Sequence, residues 1–164
     1  MNELEQTLIG DSAAAQPAHI LEDLSEELVH AATPGAPHTL YQELWHVAFW
    51  QQVTLDWIAG VETPCPAHAA LGFPTEAQVA AETWEKLRQR FLDGTEQAAA
   101  VARDGRRLEQ PIRCPSPAGK PTRTMTVREQ LESLTAHNAY HLGRIVLLRQ
   151  LKQAWPPPSG GFTW

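Results

Sequence analysis

The stretch VREQLESLTAHNAYHLGRIVLLRQLK, Val127 to Lys152, carries Gln130, Leu134, His137, His141, Ile145 and Leu148 at helical spacing on a single face. It reads as one long helix whose inner face joins apolar residues to two histidines. His137 and His141 are four residues apart, so both rings project the same way, at a spacing one metal ion can bridge. A buried imidazole needs partners for both nitrogens, and two imidazoles stacked in an apolar stripe supply each other poorly. A metal resolves that shortage. The glutamate that follows the first histidine in the HExxH motif of metalloproteases is Asn138 here, which argues against zinc proteolysis.

Two histidines need a third ligand, and the helix expected from Leu40 to about Ala59 offers one. His46 lies there on the stripe Thr39, Glu43, His46, Trp50, Val53 and Trp57, in the most apolar segment of the chain. One histidine from this helix and two from the last would leave open coordination positions for water or substrate, as catalytic sites require. Glu43, one turn before His46, reads either as a carboxylate that orients a ligand ring or acts as a base, or as an ordinary helix-surface charge. Trp50 and Trp57 read as core or pocket wall. The other histidines are weaker candidates: His19 and His30 fall on the first helical arm, His38 precedes the second helix, and His68 follows Cys65 and Pro66 in a loop.

The remaining sequence reads as helices around this pair. Leucines and Ile20 recur at helical spacing from Asn2 to about Ile9 and from Pro17 to about His30, an arm broken between the two. Pro34-Gly35-Ala36-Pro37 ends it, and Thr39 caps the next helix. A proline-rich link leads to a helix expected from Glu76 to about Val101. Between Asp104 and Thr124 the helical pattern fails, and Leu108–Cys114 with Thr122–Thr126 suggest a short strand pair. The tail after Lys152 places Trp155 and Trp164 around three prolines and two glycines, an extended segment expected to pack on the bundle. The expected fold is therefore all-α: a four-helix bundle with long inter-helix connections and a Pro/Trp-rich C-terminal tail.

Composition fits one domain over residues 1–164: 43% of the chain is apolar, 20% is charged and the net charge is −6. That balance gives no electrostatic footprint for nucleic acid, and no apolar run approaches the length of a bilayer span or the pattern of a signal peptide. A cytoplasmic protein without membrane or nucleic-acid partners is expected. Cys65 and Cys114 lie far apart and form no CxxC pair, so reduced thiols are expected. No Lys or Arg precedes Lys86, whereas thirteen of the nineteen carboxylates do. Basic residues gather from Arg103 to Arg128, including Arg106, Arg107, Arg113, Lys120 and Arg123. These either complement the acidic half or meet an anionic small molecule in the loop.

With His46, the segment His137-Asn138-Ala139-Tyr140-His141-Leu142-Gly143 running into Arg144-Ile145-Val146-Leu147-Leu148-Arg149, and the Trp155-Pro156-Pro157 tail, the chain resembles the DinB-like (DinB/YfiT) metalloenzyme superfamily. The resemblance covers most of the chain. It implies a four-helix bundle, often a homodimer, with one divalent metal per chain held by three histidines that correspond to His46, His137 and His141. Zn or Ni is the metal it implies most strongly, with Fe or Mn as further candidates. Characterised members include S-transferases that use bacillithiol or mycothiol, and a thiol-dependent isomerase. An ion on three neutral ligands keeps its charge and favours a bound thiolate or hydroxide. The reading is thus a divalent-metal-dependent enzyme, a thiol S-transferase whose partners are a small-molecule thiol and an electrophilic co-substrate. The alternatives are a metal-dependent hydrolase and a non-catalytic helical dimerisation or stress-response module.

Overall fold

The computed structural model describes residues 1–10 and 14–160. Among these there are eight helices and one two-stranded sheet, so the protein is mostly helical. The three long helices are α4 (Leu40–Ile58), α6 (Trp84–Ala102) and α8 (Val127–Leu151). Each begins at a threonine whose hydroxyl accepts a backbone N–H of the first turn: Thr39, Thr83 and Thr126. At Thr39 and Thr126 the threonine N–H in turn donates to the side-chain oxygen of Gln42 or Glu129, completing a capping box. Helix α4 packs against both α6 and α8 and is buried over most of its circumference, which accounts for its high apolar content.

The first helical arm departs from the sequence expectation. Helix α1 (Glu3–Ile9) ends at Gly10, whose left-handed backbone (φ 79°) suits glycine. The arm then supplies only two short turns, α2 (Pro17–Ile20) and α3 (Glu26–His30). Between them Asp23 adopts φ 51° and Ser25 caps α3, so the hydrophobic spacing of Leu21 and Leu24 belongs to a buried irregular segment rather than a helix. The helix expected from Glu76 is also divided, into α5 (Glu76–Ala81) and α6. Glu82 is extended at the break; its carbonyl accepts the Tyr41 hydroxyl at 2.8 Å, and its carboxylate receives two hydrogen bonds from Arg90. A one-turn 3-10 helix, Ala69–Gly72, lies in the link after α4, and a short α7 (Gly105–Leu108) follows α6.

The expected strand pair forms as β1 (Pro111–Cys114) and β2 (Arg123–Thr126), antiparallel with Cys114 opposite Arg123. This hairpin leans on α4 through β1 and on α8 through β2. After α8 the chain folds back: Trp155 packs on the core, Pro157 is buried, and the Ser159 N–H donates to Glu22. Trp164, the second tryptophan of the tail, lies outside the described residues.

Two large apolar clusters form the core, with a third, smaller one of Val53, Trp57 and Cys114 beside the hairpin. One gathers Leu44, Val47, Phe91, Leu142 and Ile145 with the arm residues Leu21 and Val29; the other joins Leu8, Leu55, Ala98, Leu131 and Leu134. A polar layer separates them. Gln51, almost fully buried, donates to the Phe91 carbonyl and accepts from Thr95 and Asn138, tying α4 to α6 and α8. This buried network, in which Oδ1 of Asn138 alone lacks a partner, ties the register of three helices, each bond contributing about 1 kcal/mol. No helix among the described residues is long and apolar enough to cross a membrane.

Candidate metal centre

One turn toward the N-terminus of α4 from this polar layer, His46 faces His137 and His141 of α8. The three rings offer ligand atoms that lie within 4.8 Å of one another, and their ring centroids are 4.5 to 5.1 Å apart. The Nε2 atoms of His46 and His137 are 3.1 Å apart. Two nitrogens each about 2.0–2.1 Å from a shared divalent ion stand close to that separation.

The far nitrogens of two of the rings are already engaged. Nδ1 of His46 is 2.9 Å from the carbonyl oxygen of Gly72, and Nδ1 of His141 is 2.7 Å from Oε2 of Glu43. A carbonyl and a carboxylate only accept, so each holds the proton on Nδ1 and leaves Nε2 with its lone pair directed at the other rings. Such outer partners set tautomer and orientation in histidine metal sites. Burial pushes His46 below its ordinary value and His137 down to about 4, so both rings are neutral near pH 7, the state a metal requires. Nδ1 of His137 is buried without a hydrogen-bond partner. The donor set, three imidazole nitrogens in two pre-oriented rings and a third, fits a divalent ion.

Glu43 is completely buried, so it is not a helix-surface charge. Nor does it turn back to His46: it reaches across to His141, and its other oxygen accepts from Arg144 at 2.7 and 2.9 Å. Burial alone would raise this carboxyl, but the hydrogen bonds from His141 and Arg144 outweigh it and hold the pKa below the ordinary carboxylate value. It is therefore an anion at neutral pH, compensated by a guanidinium.

Gly72 and Arg144 are residues of this site to which the sequence reading gave no role. The first acts through its backbone carbonyl, which has no residue-type signature. The second had one, since an arginine three residues after His141 stands on the same side of α8. A Cβ on Gly72 would sit 3.0 Å from Nε1 of Trp50 and 3.2 Å from Nδ1 of His46, so the approach of this turn depends on glycine. Phe73, next in sequence, stacks on the His46 ring at 4.2 Å and on His38 at 3.8 Å.

Three of the seven residues of the basic segment are committed elsewhere: Arg103 pairs with Glu5 and Glu96, Arg113 with Glu62, and Arg128 with Glu109. Tyr140 is exposed and accepts from Arg144. Asn138 belongs to the polar layer. Beside His137, between α4, α8 and the hairpin, lies a cavity of about 180 Å³ walled by Trp50, Trp57, Met125 and Leu134, with Cys65 and Arg123 also lining it. A larger cavity of about 420 Å³, between α1, α2, α6 and α8, has no titratable side chain among the described residues that line it. Of the three histidines, His137 lines the smaller cavity.

In comparisons with known proteins, the family model of the DinB superfamily matches residues 11–145. No curated protein matches the chain.

Proposed function

The chain belongs to the DinB superfamily, and on that premise we propose that it is a divalent-metal-dependent enzyme of the thiol S-transferase kind, with His46, His137 and His141 as the ligands of one Zn or Ni ion. The observation that carries the proposal is the convergence of three imidazoles whose lone pairs share one small volume. A divalent ion held by three neutral ligands would stabilise the deprotonated form of a low-molecular-weight thiol near neutral pH and leave a position open for it.

The protein's own residues have distinct parts in this reading. Glu43 keeps the His141 proton on Nδ1, and the Gly72 carbonyl does the same for His46. Arg144 compensates the buried Glu43 carboxylate, which both orients and confines it. Trp50, Trp57 and Leu134 exclude water from the side on which thiol and electrophile meet. Water in place of the thiol makes the same site a hydrolase, the neighbouring alternative. The bundle is the four-helix bundle of the family, with α1 as its short fourth member against α6 and α8. It works as a homodimer, a reading favoured by Tyr140, Leu147 and Leu151, which are exposed on one side of α8.

The test is metal content per chain by mass spectrometry, on untagged protein and on a variant combining His46→Ala, His137→Ala and His141→Ala whose helicity is checked by circular dichroism. Near one Zn or Ni per wild-type chain and almost none in the folded variant is expected. Equal content in both, or none in either after dialysis against Zn²⁺ and Ni²⁺, would overturn the proposal.

A further inference from the structure

The 180 Å³ cavity beside His137 combines an apolar wall with one charge. Trp50, Trp57, Met125 and His137 line it, and the charged side chain among its lining residues is Arg123, an exposed residue at the start of β2. No carboxylate lines it among the described residues. Arg103, Arg113, Arg128 and Arg144 each pair with a glutamate, whereas Arg106, Arg107, Lys120 and Arg123 have no carboxylate partner among the described residues, and of these four only Arg123 lines the cavity. A single cation at a concave apolar surface concentrates anions, and a guanidinium presents a fork that fits a carboxylate with two parallel hydrogen bonds. The volume lies below the roughly 300–1,000 Å³ of sites that engulf drug-sized ligands. It suits a few heavy atoms, or one end of a longer molecule.

We propose that this cavity is the carboxylate subsite of the centre and that Arg123 is its recognition residue: the ligand carries a carboxylate on a short apolar shank, with its reacting end toward the histidines. One guanidinium matches a monoanion, whereas a phosphate dianion is ordinarily met by more than one cation or by a helix N-terminus. The inference rests on the function proposed above, because the histidines define which end of the ligand reacts. Arg123 determines specificity and takes no part in bond making.

Four probes separate the two ideas: 3-mercaptopropionate, 3-mercaptopropan-1-ol, propionate and 1-propanol. Their dissociation constants are read anaerobically from tryptophan fluorescence on Zn²⁺-loaded wild type, on Arg123→Met and on the triple histidine variant. Carboxylate over alcohol should be favoured at least tenfold by wild type, with that preference lost in Arg123→Met while binding of the neutral thiol is unchanged. Arg123→Lys, which keeps the charge but loses the fork, should fall between. Absence of the preference in wild type, its survival in Arg123→Met, or failure of both carboxylates to bind at millimolar concentration would overturn the inference. The advantage of thiol over no thiol should vanish in the triple histidine variant. If it persists there, the metal reading fails while the carboxylate preference still stands or falls on Arg123.

Discussion

Replacing Glu43 by glutamine removes one charge and almost no volume, and its effect can be worked out atom by atom. The carboxylate serves Arg144 with Oε1 and the His141 Nδ1–H with Oε2. An amide has one oxygen. Arg144 is always a donor and claims that oxygen, so the NH₂ group must face Nδ1 of His141. Two donors cannot stay 2.7 Å apart, and His141 responds by moving its proton to Nε2, where it fills the lone pair aimed at His46 and His137. Metal binding must reverse that shift against the loss of a charge-assisted hydrogen bond, which is worth about 1.5–3 kcal/mol. At 1.4 kcal/mol per decade this is a roughly 10- to 100-fold rise in the Zn²⁺ dissociation constant, the range seen when outer partners of metal-bound histidines are removed. Competition against a fluorescent zinc chelator at pH 7.5 measures the affinity, and long-range ¹H–¹⁵N spectra of the imidazoles report the tautomer of the metal-free variant. A dissociation constant within threefold of wild type, with the proton still on Nδ1 of His141, would refute the reasoning.

Other consequences follow from particular contacts. Gly94→Ala should destabilise by about 1–2 kcal/mol: its Cβ would lie 2.3 Å from Nε2 of Gln51, whose bonds pin the polar layer, and the gain in helix propensity offsets only part of that cost. Gly143→Ala, where a Cβ meets nothing within 4 Å, should instead stabilise by about 0.5–1 kcal/mol, and urea midpoints of the two variants should move in opposite directions. Arg149 is almost fully buried and donates to the carbonyls of Ile20 and Ala154 beneath Trp155, so Arg149→Ala should cost about 2–4 kcal/mol and lower the calorimetric Tm. Burial, with the Glu82 charge adding to it, raises the Tyr41 phenol to about 12 from an ordinary 10.0. The unfolded chain therefore loses this proton first, and stability should fall as pH rises from 10 toward 12, a loss that Tyr41→Phe should reduce in thermal melts.

How much of this was legible in sequence depends on whether the signal was periodic or spatial. The long helices α4 and α8 declared themselves by spacing, and α4 also by its Thr39 cap, and their inner faces brought His46, His137 and His141 to one side of each helix before any coordinates were needed. The split at Glu82 was hidden because Thr83 looks like a tolerated helix residue until its hydroxyl is seen capping α6. The Leu21–Leu24 segment misled in the same way: its leucines follow the helical period, yet Asp23 turns the chain and the buried contacts are made by irregular backbone.

The site shows the same division. Side-chain chemistry with a fixed period, two histidines one turn apart, could be read directly. The groups that hold those side chains could not, because the Gly72 carbonyl comes from a loop 26 residues away and the Glu43 bond to His141 spans 98 residues. Distance in sequence also explains why Glu43 read more readily as a surface charge: the guanidinium that compensates it, Arg144, sits on another helix. The charges that escape pairing are therefore informative only once the fold has paired the rest. Arg123 looked like one of several basic loop residues, and even with Arg113 and Arg128 matched to Glu62 and Glu109 it is set apart from the other unpaired ones, Arg106, Arg107 and Lys120, only by lining the cavity beside His137.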